Sequence, residues 1–181
     1  MRAIDEATFR EALDARGLLR DGALAFPPRE DAFIVFAQQS DARITIDDWR
    51  RHAERFLATR IGLTVDKRYD EEHAPRIDAA RVVVAPHSAP SETRMLWGRP
   101  RTDDDVYAAE DADGGAGLAL LAKRCGQVWM VEREHEDDSV ALRLAAIVAG
   151  VTLGPILVPG GARLVGPKTA KQELDAGTNR G

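Results

Sequence analysis

A single α/β domain, with a mixed sheet of about four to five strands covered by helices, is the fold class this 181-residue sequence predicts, α+β being the alternative. Three observations predict it. Short apolar runs rich in β-branched and aromatic residues alternate with segments of helical periodicity. No Pro/Gly/Ser-rich linker, low-complexity stretch or internal repeat separates them. With 44% hydrophobic residues the chain can bury one core without staples. The domain is read over 1–176, with 177–181 as a flexible C-terminal tail.

The first helix is expected over 6–16, with Asp5 as N-cap and Gly17 just past the end, and with Phe9, Ala12 and Leu13 on one face. After Pro27-Pro28, the run 32–37 is almost continuously apolar, the mark of a strand covered on both faces. Asp47 is an N-cap candidate for an amphipathic helix in which Trp49, Ala53, Phe56, Leu57 and Ile61 recur at helical spacing before Gly62. The polar segment 66–73 is a solvated loop, and 80–85 is a second buried strand closed by Pro86. A third strand covers 93–98 and ends at Arg99-Pro100.

Thr102, followed three residues later by Asp105, is a capping signal for a helix to about Ala112. The glycines at 114, 115 and 117 interrupt the chain as a joint before a short helix over 118–124, which Gly126 terminates. A strand follows over 127–133, and Asp137 or Asp138 caps a helix over 139–150 whose only charge is Arg143. A short strand over 156–158 and a marginal helix over 169–176 complete the list. The stretch 144–158 is uncharged but only 15 residues long and broken by Gly150, Gly154 and Pro155, too short for a bilayer, which takes about 20.

The net charge of −5 and a pI near 5.4 disfavour nucleic acid and anionic membranes as partners. The lone Cys125 cannot close an internal disulfide, and the N-terminus lacks the apolar core of a signal peptide. A bacterial-type cytoplasm is the expected compartment.

Two loops carry the residue types that chemistry needs. The loop 86–92 follows a buried strand and holds His87, Ser88 and Glu92: a hydroxyl, a base to activate it and a carboxylate to orient the base. No Gly-x-Ser-x-Gly elbow accompanies them, and a Pro/Ser turn with an exposed histidine accounts for the same residues. The loop 132–138 offers Glu134, His135, Glu136 and Asp137 as binding residues. It lacks His-Glu-x-x-His spacing, and N-capping of the next helix explains its acids equally well, so no metal is assigned. Asp70-Glu71-Glu72-His73 is a third such cluster. If the strands at 80–85 and 127–133 run parallel, His87 and His135 leave one edge of the sheet together with Glu92 and Glu136.

The segment 161–169 lacks a phosphate-binding character, because Pro167 removes an amide just before Lys168. Cys125 stands beside Lys123 and Arg124, which would lower an exposed thiol's pKa, but a small buried hydrophobe is the commoner role. No cofactor is implied. The leading expectation is a non-enzymatic adaptor, accessory or inhibitor protein whose acidic surface meets a basic protein, with a second copy of the chain as a further partner to consider. The alternative is a small hydrolase or metal-dependent enzyme using His87, Ser88, Glu92 and the His135 loop.

Overall fold

The computed structural model describes residues 26–38, 46–63 and 79–178; the expected helix over 6–16 and the loop over 66–73 lie outside them. Strand β1 (Ala32–Ala37) is buried at all six positions. Because side chains alternate across a strand, Phe33, Val35 and Ala37 enter one core while Ala32, Ile34 and Phe36 enter the other. Full burial of each such large side chain contributes about 1.5–3 kcal/mol.

Helix α1 (Ile46–Leu57) buries Trp49, Ala53 and Leu57, spaced at four residues. It stops there and does not continue to Ile61 as the periodicity predicts: Ala58 turns into the left-handed region at φ 45° and β2 (Thr59–Leu63) begins. The stop is held from afar. The Arg143 guanidinium donates to Leu57 O at 3.0 Å and to Thr59 Oγ1 at 3.3 Å, supplying a cation and donors to the end of α1. Phe56, expected inside, is 48% exposed and lies under the Arg55 guanidinium.

Strands β3 (Ala79–Pro86) and β4 (Glu92–Pro100) form an antiparallel hairpin. Helix α2 (Asp103–Ala112) starts with the expected capping box: Thr102 Oγ1 accepts the Asp105 N–H, and the Asp105 carboxylate accepts the Thr102 N–H. Asp105 is fully buried and also takes two N–H bonds from Arg99, at 2.7 and 2.8 Å. Before α3 (Leu118–Arg124), the Asp113 carboxylate accepts the Gly117 and Leu118 N–H groups, both at 2.9 Å. That closure needs positive φ at Gly114, Gly115 and Gly117, which explains the glycines.

Strand β5 (Gln127–Glu132) leads to α4 (Ser139–Thr152), capped by Asp138, whose carboxylate accepts the Ala141 N–H. At Gly154 a β-carbon would lie 1.4 Å from Phe36 O, so the chain passes β1 backbone to backbone on its way to β6 (Ile156–Leu157). After a 3-10 turn come β7 (Leu164–Val165) and α5 (Pro167–Thr178), where Pro167 takes the first helical position, in which its missing N–H costs nothing.

One sheet runs β2-β3-β4-β5-β1-β6-β7. The α/β class is as expected. Among the described residues the sheet has more strands than expected, seven, and every neighbouring pair is antiparallel, so the sheet is not mixed. The unforeseen β2 and β7 are short, five and two residues, with little pattern to betray them. Helices α1, α4 and α5 cover one face, and α2 and α3 the other over β1, β5, β6 and β7. Among the described residues no helix is long and apolar enough to cross a membrane.

Candidate functional site

Strands β3 and β5 are both antiparallel to the β4 between them, and therefore parallel to each other. The loops that follow them, 87–91 and 133–138, leave the sheet at the same edge. The 3-10 turn Arg29–Asp31 feeds β1 there too, since Ala32 pairs with Glu132.

The two loops meet at a residue the sequence did not single out. Arg94, two positions into β4 from Glu92, points onto the face covered by α4, and its side chain is 2% exposed. Its Nε donates to Asp138 Oδ2 at 2.7 Å and its Nη2 to Asp138 Oδ1 at 3.0 Å. Nη2 also donates to Glu92 Oε2 at 2.6 Å, and Nη1 to Thr93 O at 2.9 Å, with Glu134 Oε2 at 3.5 Å. A buried guanidinium thus meets three carboxylates, the compensation that burying a charge requires. Burial opposes its charge, and the bonds it donates to Asp138 and Glu92 outweigh that, raising the Arg94 pKa. For Asp138 burial likewise opposes ionisation, but Arg94 and the N–H groups of Glu134 and Ala141 hold its carboxyl below the usual range.

Asp138 therefore fixes both ends of the acidic loop. The Glu134 N–H donates to Asp138 Oδ2 at 2.9 Å while the same carboxylate caps α4. Arg133 ties the loop to the neighbouring turn: its N–H donates to Asp31 O at 2.9 Å and its Nη2 to Glu30 O at 2.8 Å. On this base Glu134, His135, Glu136 and Asp137 are exposed. Nearby Glu132 is half-buried; burial first, and then the charges of Asp31 and Glu134, push its carboxyl pKa upward.

His87 in the loop and Glu92 at the start of β4 engage different partners. His87 Nε2 lies 3.2 Å from Glu54 Oε1 of α1, with both side chains about half exposed, and the His87 N–H donates to Ala58 O at 3.0 Å. The carboxylate against this histidine is thus Glu54, while Glu92 faces Arg94. Ser88 is exposed in the turn. Among the described residues no hydrogen bond joins Ser88 to His87, and none places three His, Cys, Asp or Glu side chains where they could hold a metal ion. His135 is exposed in the 133–138 loop, and the edge gathers Glu92 with Glu134 on Arg94.

Arg94 had a signal. It occupies an inward register position, two before the buried Leu96, and a charge at such a position requires a buried partner. Glu54 had none, because only the pairing of β2 with β3 brings the end of α1 to His87. Comparison with protein-family models, with curated proteins and with solved structures gives no match to this chain.

Proposed function

We propose that this chain is a non-enzymatic interaction protein of a cytoplasm, an adaptor, accessory or inhibitor, that receives a basic protein on the acidic edge of its sheet. One observation carries the proposal: the loop 133–138 is anchored from beneath by Asp138, Arg94 and Arg133 while Glu134, Glu136 and Asp137 project into solvent. Anchored carboxylates offer a partner's Lys or Arg a prearranged field, which speeds encounter and saves the ordering cost of a mobile loop. Burial first raises the Glu132 carboxyl, and the nearby charges of Asp31 and Glu134 add to it; that second contribution is one a cation would relieve.

The test uses an arginine-rich peptide as probe, titrated calorimetrically at two salt concentrations. The intact chain binds it more weakly as salt rises, and E134Q/E136Q/D137N weakens binding at least about tenfold. Equal binding by the neutralised variant defeats the proposal.

A hydrolytic reading retains one observation, the 3.2 Å approach of His87 to Glu54 beside Ser88. It requires turnover of an activated ester that falls about a hundredfold in both H87A and S88A, as loss of base and of nucleophile demands.

A further inference from the structure

His52 lies on α1 where that helix crosses α4. Its ring is half-buried, tilted at 38° against Phe56 with centroids 4.7 Å apart, and pressed against Gly150: a β-carbon at 150 would sit 2.1 Å from His52 Nε2 and 2.5 Å from Cε1. Gly150 is a poor helix former near the end of a fourteen-residue apolar helix, and its place there is accounted for by the ring that fills the space above it.

We propose that His52 and Gly150 form a pH-sensitive clasp between α1 and α4, closed while the imidazole is neutral and loosened when it takes a proton. An imidazolium keeps its hydration only by leaving the glycine surface, and the helix-to-helix contact at this point is the ring itself. Desolvation lowers the His52 pKa, in the sense the clasp requires.

Among the described residues the surrounding charges do not rescue a buried proton. On α1 itself Asp48 pairs with Arg51, and Glu54 and Arg55 are exposed. Arg143, the sole charged residue of α4, is engaged at the Leu57 end, and Asp175 of α5 acts on Arg143. Arg60 of β2 is exposed. The negative end of the α4 dipole favours an imidazolium, whereas burial of the ring lowers the His52 pKa.

The experiment is hydrogen–deuterium exchange of the full chain at about pH 7.5 and about pH 5, corrected for intrinsic rates and read as protection over 46–57 relative to β5. In the parent this ratio falls at least about threefold on acidification. H52Q removes the titration, so its ratio is the same at both pH values. G150A displaces the ring at every pH, so its ratio is low throughout; this variant decides the matter should H52Q not fold. H87Q, which removes the other histidine that faces α1 among the described residues, retains the parent's fall. A flat parent, a fall that survives in H52Q or G150A, or a fall abolished by H87Q overturns the clasp.

Discussion

The Arg94 guanidinium grips the Asp138 carboxylate through two hydrogen bonds, of 2.7 and 3.0 Å, with side chains 2% and 0% exposed. Buried pairs of this kind are costly to break from one side, because the survivor remains charged in a dry place. R94M should destabilise the chain by about 3–5 kcal/mol in urea denaturation. R94M/D138N should recover part of that loss, since it removes the stranded carboxylate while Asn can still cap α4. A double variant as unstable as the sum of both singles refutes the coupling.

Acid should act on three carboxyls in two directions. Asp105 is opposed by burial but held down by Arg99 and Thr102, and Asp138 by Arg94, so both contribute stability that is fully present above about pH 4 and lost as pH falls further. Glu132 is raised, so the folded state prefers its proton and stability is lost as pH climbs through the ordinary glutamate range near about 4.3. E132Q should therefore raise the melting temperature at neutral pH and have little effect below about pH 4. An unchanged difference at both pH values rules this out.

Cys125 should be inert in the folded chain. Burial pushes its thiol from 9.0 to about 11, against the pull of Arg101, and its Sγ–H donates to Leu121 O at 3.2 Å. Two pKa units leave about a hundredfold less thiolate at a given alkaline pH, before access is counted. Labelling with an aromatic disulfide should be at least about a hundredfold faster in urea than in buffer.

Leu153 closes α4 at φ 57°, a left-handed conformation that burdens a side chain with a β-carbon, and it is 55% exposed. L153G should stabilise by about 0.5–1 kcal/mol, the relief exceeding the added freedom of the unfolded glycine. A loss of stability in thermal unfolding would show that its side chain contributes packing there.

Much of this architecture was legible from local chemistry. The unbroken apolar run at 32–37 gives β1 to the residue, and Thr102 with Asp105 gives the capping box of α2. What escaped is held by distant partners. Nothing near Ala58 announces a helix end, since no glycine stands there and the stop is secured by Arg143 from α4. The place of β4 between β3 and β5, and of β1 between β5 and β6, joins strands far apart in the chain, which no local pattern records. At the candidate edge, Glu92 and the 134–138 loop were visible as residue types, and their sharing one edge followed if the two strands ran parallel; the joint between them was not visible, because Arg94 and Asp138 lie 44 residues apart.

Strand β1 finds its neighbours only in β5 and β6, with Ala32 opposite Glu132 about 100 residues later. On a ribosome adding about 5–20 residues per second, six greasy residues wait roughly 5–20 seconds before a mate emerges. Such distant closure makes for slow folding and a nascent chain prone to stick to its siblings. Cool, slow expression or a holdase that shelters Phe33 and Phe36 should raise the soluble yield.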